Sequence, residues 1–197
     1  RLAAAIEPAI EQAKKEGIDT TESINEQVSV KQNQIENNII NPVVYEELIN
    51  NPSKKIVRSY GDKSITKEID QILAVIRSHY SGESFFELVT YGTSSHDFVF
   101  NKQLSEKFHK VISKRGLGEP VIYIAKVISL DSKNKNGKIQ NVVNDKISNI
   151  YFSNDHSFFI AKKYLGIKDE MEFIGCPVIE YGAFDPQAGD IYFVGLI

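Results

Sequence analysis

Apolar residues recur at helical spacing through the first part of this chain and alternate with polar ones through the last part. Leu2, Ile6, Ile10 and Ala13 fall on one face of a helix predicted over Leu2–Glu16. Pro8 lies inside that pattern, as a kink or a first turn, and Gly17 supplies the stop. Thr20 or Thr21 offers a cap for a second helix that runs on to Ile40. Its Ile24, Val28, Ile35 and Ile39 form a thin face interrupted by Lys31 and Gln32, a pattern that predicts weak packing or a partner. Asn41-Pro42 starts a short helix, Val43–Ile49, that Asn50-Asn51-Pro52 ends. Ser53–Asp62 reads as a connector carrying Lys54, Lys55 and Arg58. The widest stripe follows: Ile65, Ile69, Ile72, Leu73, Ile76 and Tyr80 predict a helix over Ser64–Tyr80, closed by Gly82. Ser84–Tyr91 and His96–Asn101 predict a hairpin across Gly92-Thr93-Ser94-Ser95. Leu104, Phe108, Val111 and Ile112 predict a helix over Lys102–Ser113.

Arg115-Gly116-Leu117-Gly118 is a break at which the period changes, and a domain boundary is placed there, giving residues 1–117 and 118–197. Beyond it the predicted order is strand, strand, strand, helix, strand, strand, over Gly118–Leu130, Asn136–Val143, Lys146–Phe152, Asp155–Leu165, Glu170–Tyr181 and Asp190–Ile197. Ser153 or Asn154 caps the helix and Gly166 ends it. This order is that of small Greek-key barrels of the oligonucleotide/oligosaccharide-binding (OB) type, with an SH3-like barrel as the alternative. The predicted fold class is therefore α+β: a helical N-terminal region with one β-hairpin, then a small five-stranded OB-like (or SH3-like) β-barrel module with one helix. No family is recognised from these motifs.

Composition narrows the class without naming a function. At 197 residues, 42% apolar and 25% charged, the chain has ordinary globular proportions. Its single cysteine, Cys176, excludes an internal disulfide and a cysteine-based zinc cluster, and one thiol fits a reducing compartment such as the cytoplasm. No apolar run approaches the roughly 20 residues of a membrane span. Glu7 and Pro8 interrupt the apolar start, so no secretory signal is read; a start at Arg1 rather than Met fits a piece of a longer protein. Net charge is −3, distributed as −5 over residues 1–100, +8 over 101–168 and −6 over 169–197. A basic middle between acidic ends suggests a local anion-binding face, although helical lysines that merely solvate exposed surface give the same asymmetry.

Candidate chemistry is sparse. On the OB reading the ligand lies across strands two and three, between the first-to-second and fourth-to-fifth strand loops. There the chain places Lys133, Lys135, Lys138, Lys146, Tyr151, Tyr181 and Phe184, cations for phosphates and aromatic faces for bases, as single-stranded nucleic acid requires. Lys is also a common loop residue and strand aromatics commonly serve the core, and Asp185 and Asp190 oppose a polyanion. For catalysis, His96-Asp97 with Ser94 or Ser95 cannot form a triad alone, because neighbours on a strand point to opposite faces. Asp155-His156 suits the first turn of a helix. His79, His96, His109 and His156 show no metal-ligand spacing, and no phosphate-binding loop is present. Cys176 sits in an acidic stretch next to Pro177, whose place is an edge strand or a bulge. No catalytic residue, metal or cofactor is assigned. The reading is a non-enzymatic binding module for single-stranded nucleic acid. The alternative is protein interaction or self-association through the N-terminal helices, and a hydrolase using His96, His109 and Asp97 comes third.

Overall fold

The computed structural model describes residues 1–15, 23–52, 54–78, 83–92 and 94–197. Gly17, Thr20, Thr21, Ser53, His79, Tyr80, Gly82 and Thr93, all used in the sequence reading, lie outside them. The elements in order are α1 (Leu2–Lys14), α2 (Ile24–Glu36), β1 (Val43–Val44), α3 (Tyr45–Asn50), α4 (Lys54–Arg77), β2 (Phe85–Thr90), β3 (His96–Asn101) and α5 (Lys102–Ile112). Then come β4 (Gly116–Leu117), β5 (Val121–Asp131), β6 (Asn136–Asn141), β7 (Ile147–Tyr151), α6 (Asp155–Lys162), β8 (Met171–Ile179) and β9 (Ile191–Leu196). They form two compact units: Arg1–Thr21, Val57–Lys114 and Glu180–Ala183 in the first, Glu22–Ile56, Arg115–Ile179 and Phe184–Ile197 in the second. Glu22–Ile56 thus groups with the strands that follow Gly118. Among the described residues no helix is long and apolar enough to cross a membrane.

The first unit buries one face of each of three helices and of the β2–β3 hairpin. Ile6, Ile10 and Ala13 of α1 meet Ile69, Leu73 and Ile76 of α4 and Phe108 and Ile112 of α5. Phe100 of β3 completes that core, its ring edge-on to Phe108 at 5.6 Å. Pro8 lies within a continuous α1. The α4 stripe is narrower than its spacing predicts, because Ile72 is exposed together with Val75. The connector expected over Ser53–Asp62 is instead the start of α4, at Lys54. Gly61 lies inside this helix, where a glycine costs about 1 kcal/mol relative to alanine. One buried charge is fixed inside this unit. Asp70 accepts hydrogen bonds from Arg77 Nη1 at 2.8 Å and from His109 Nδ1 at 2.9 Å. Because a carboxylate can only accept, the proton of His109 sits on Nδ1.

The second unit is a closed barrel. β5 pairs β6, β6 pairs β7, β7 pairs β9 in parallel, β9 pairs β8, and β8 returns to β5. Alternation drives it: Val121, Tyr123, Ala125 and Val127 of β5 point inward with Ile139, Ile150, Met171, Phe173, Ile191 and Phe193. Phe158 and Ala161 of α6 join that core. A run of aromatic contacts passes through it, Tyr45 to Tyr123, Tyr123 to Phe173, Phe173 to Phe193, Phe193 to Phe152 and Phe152 to Phe158, all between 5.1 and 5.7 Å. β5 bulges between Val127 and Ser129, which brings the strand so close to Gly137 that a Cβ there would overlap the Ser129 carbonyl. The β5–β8 ladder stops at Val121 and Gly175, short of Pro120 and Pro177, neither of which can donate to it.

Several boundaries differ from expectation for local reasons. α2 ends at Glu36, not Ile40, because Asn38 turns the chain at φ 54° and leaves Ile39 exposed. Its start is a capping box in which Ser23 and Glu26 exchange hydrogen bonds, and these also lower the Glu26 pKa. Val43 and Val44 do not begin a helix; these β-branched residues extend β5 as a parallel strand, and α3 starts at Tyr45. Gly116 and Leu117, expected in a break, pair with Ile179 and Val178. α6 ends at Lys162 rather than Leu165, and β8 spans Met171–Ile179 rather than Glu170–Tyr181.

Candidate functional site

The outer face of β6, β7 and β9 carries two rows of side chains across the strands. Lys138 lies opposite Asn149, and Asn136 opposite Tyr151, because β6 and β7 are antiparallel in that register. The parallel β7–β9 pairing then sets Tyr151 beside Tyr192. One row is therefore Lys138, Asn149 and Asp190, and the other is Asn136, Tyr151 and Tyr192. The rings of Tyr151 and Tyr192 stack at 5.8 Å with 18° between their planes. Asp190 holds this arrangement: its carboxylate accepts from Asn149 Nδ2 at 2.9 Å and from the Tyr151 hydroxyl at 3.1 Å. Partial burial raises the Tyr192 pKa, Arg115 opposing, so its hydroxyl stays protonated near neutrality.

The loops at the two ends of the face are built differently. The β5–β6 loop is closed by Asp131, which accepts from the backbone of Lys133 and Asn134 and from the Asn134 side chain; those bonds also lower its pKa. Lys133 is exposed in this loop, while Lys135 pairs with Asp155 of α6 at 3.0 Å. Lys146 is exposed in the β6–β7 turn at the other end of the six-residue β6. The 184–190 loop lies by that same turn, since Asn144 donates to the Gln187 carbonyl at 2.9 Å. Tyr45 pins it further by donating to the carbonyls of Pro186 and Gln187, and burial pushes the Tyr45 hydroxyl up to about 12. Phe184 is half-buried at the root of this loop.

Of the residues singled out from sequence, Lys138 and Tyr151 thus share the face, Lys133 and Lys135 flank one end, and Lys146 and Phe184 belong to the other. Tyr181 belongs to the first unit, where it packs on that unit's core and lines a groove of about 450 Å³ with Pro8, Ala9, Asp62 and Val111. Lys133, Lys138 and Lys146 have no ion-pair partner among the described residues. Tyr192 and Asn149 also lie on this face and were not among the residues expected there. The signal for Tyr192 was present: Ile191 and Phe193 are core residues, so the residue between them must face outward.

Among the described residues, His96, His109 and His156 form no cluster with Asp97. His96 Nε2 lies 2.8 Å from Ser94 Oγ, and its Nδ1 lies 3.9 Å from Glu7, beyond a hydrogen bond, so no carboxylate fixes its tautomer. His109 is held by Asp70, and His156 is exposed on α6. No group of three or more metal-ligating side chains occurs among the described residues. Cys176 is fully buried, and burial pushes its thiol up to about 12, with Lys31 opposing and Glu119 adding. A thiol reagent is therefore expected to label native protein at pH 8 far more slowly than unfolded protein; equal rates would contradict this burial. The raised pKa also has a sign. The unfolded thiol ionises near 9.0 and the folded one near 12, so its contribution to stability is intact below pH 9 and is lost as pH rises toward 12.

Comparison with protein-family models, with curated proteins and with solved structures finds no match to this chain.

Proposed function

We propose that the barrel is an OB-type module that binds single-stranded nucleic acid across the outer face of β6, β7 and β9. The observation that carries this reading is the combination of strand order and face chemistry. A helix between the third and fourth strands, and a parallel pairing of the third strand with the fifth, favour the OB order over an SH3-like one. On such a barrel the second and third strands form the ligand face. Here that face presents Lys138 and a stacked tyrosine pair, with Lys133 and Lys146 in the loops at its two ends, and none of the three lysines is ion-paired among the described residues. Phosphates would follow Lys133, Lys138 and Lys146 along β6, away from Asp190, while bases stack toward Tyr151 and Tyr192. The loops at both ends are held in place before any ligand arrives, which reduces the ordering cost of binding.

Fluorescence anisotropy with labelled single-stranded DNA and RNA at low and moderate salt tests the proposal. Binding is expected at low salt, with log K falling by about 0.7 per phosphate contact for each unit of log salt. Absence of binding at low salt, or binding insensitive to salt, would overturn it.

A further inference from the structure

We propose that the outer face of α6 and the turn after it form a second contact for the same nucleic-acid strand, continuing the path beyond the β5–β6 loop. This rests on the reading of the barrel face given above. α6 buries Ser157, Phe158 and Ala161, so Asp155, His156, Phe159 and Lys162 share the opposite side. Phe159 is 57% exposed, an unusual place for a phenylalanine in a helix whose other aromatic is core. Lys162 Nζ lies over its ring at 5.9 Å. Lys163 and Lys168 follow, both exposed, and Leu165 and Ile167 add exposed apolar surface between them.

Charge and continuity choose the occupant. Lys162, Lys163 and Lys168 have no ion-pair partner among the described residues, whereas the Asp155 carboxylate is engaged by Lys135 and the Glu170 carboxylate lies 3.9 Å from Lys126. Asp169 and Glu172 are the remaining exposed acids on the chain that leads into β8. The Lys135–Asp155 pair joins the first turn of α6 to the loop that flanks the β6–β7 face, and Phe152 N donates to the Lys135 carbonyl at 2.9 Å. A strand leaving the face past Lys133 therefore meets α6 next, where Phe159 offers a ring to a base and three lysines offer charge to phosphates. An exposed aromatic among lysines also suits an anionic membrane surface. Its attachment to the candidate face favours the nucleic acid.

The test compares oligothymidylates of about six and about sixteen nucleotides, which span the usual site sizes of one such barrel. Wild type is expected to bind the longer one more tightly and with a steeper salt dependence. Phe159→Ala should weaken the longer by about fivefold or more, the low end for one lost stacked base, and leave the shorter unchanged. Lys162→Glu/Lys163→Glu should lower only the longer one's salt slope, by about 0.7 per lost contact. Phe159 is exposed, and an unchanged thermal melt of the variants shows that the barrel is intact. If short and long bind equally, or the variants weaken both alike, the α6 contact is overturned while the face remains. If the short one does not bind at low salt, the face reading fails and this inference with it. Co-sedimentation with phosphatidylserine vesicles that Phe159→Ala abolishes, with oligonucleotide affinity unchanged, would also overturn it and assign α6 to a membrane surface.

Discussion

Reversing the charge at Lys133, Lys138 and Lys146 together is expected to weaken single-stranded oligonucleotide binding by about two orders of magnitude at low salt and to flatten its salt dependence by about two units of slope. These lysines are chosen because each is exposed and none is ion-paired among the described residues. Lys135 is left in place, since its pairing with Asp155 means that part of any loss on mutating it would come from freeing that acid. The effect should be uniform across base composition, because phosphate contacts position a strand without reading it. Tyr151→Ala should behave differently, weakening binding with little change in salt slope, since stacking releases no counterions. Anisotropy titrations across a salt series separate the two. A triple variant that binds as wild type does would remove β6 as the phosphate path.

Phe173→Ala is expected to destabilise the barrel by about 3–5 kcal/mol, the cost of truncating a buried aromatic without collapse of the cavity. Phe173 is fully buried and sits in the middle of the aromatic run, stacked between Tyr123 at 5.5 Å and Phe193 at 5.7 Å. Its loss removes contacts on two sides, and the neighbouring rings are tied elsewhere, Phe193 to Phe152 and Tyr123 to Tyr45, so relaxation into the gap is limited. A shift of that size is a large share of the roughly 5–15 kcal/mol that holds a domain together. Urea denaturation followed by tyrosine fluorescence measures it. A loss under about 1 kcal/mol would mean that the core repacks freely.

The barrel was legible because its strands alternate. Val121, Tyr123 and Ala125 fall inward with period two, Asn154 accepts from Ser157 N at 2.9 Å at the cap position, and polar turns separate the strands. The start of α4 was not legible, because residues 54–63 carry few apolar positions and include Gly61, so no stripe marks them. Val43–Val44 was misread for the opposite reason: Asn41-Pro42 is a good helix start, yet a long-range pairing with Val121 and Ile122 takes the two valines first. α2 looked partner-seeking on its thin apolar face. In its own unit it buries Val28, and its polar side chains do the rest: Gln27 accepts from Leu117 N at 3.0 Å and Gln32 donates to the Val194 carbonyl at 2.6 Å. For the candidate face, the lysines and Tyr151 stood out by residue type. Tyr192 was hidden among core residues, and the pinning of the 184–190 loop joins Tyr45 to Pro186, 141 residues away, and Asn144 to Gln187, 43 residues away, which no local pattern records.

Amide chemical-shift mapping of the isotope-labelled chain with a short oligothymidylate at low salt shows whether the outer face of β6, β7 and β9 takes a nucleic-acid strand. The largest perturbations are expected on β6, β7 and the start of β9, with Lys138, Asn149, Tyr151 and Tyr192 among them. Perturbations confined to α1, α5 and the β2–β3 hairpin, or none at saturating oligonucleotide, would contradict binding at that face.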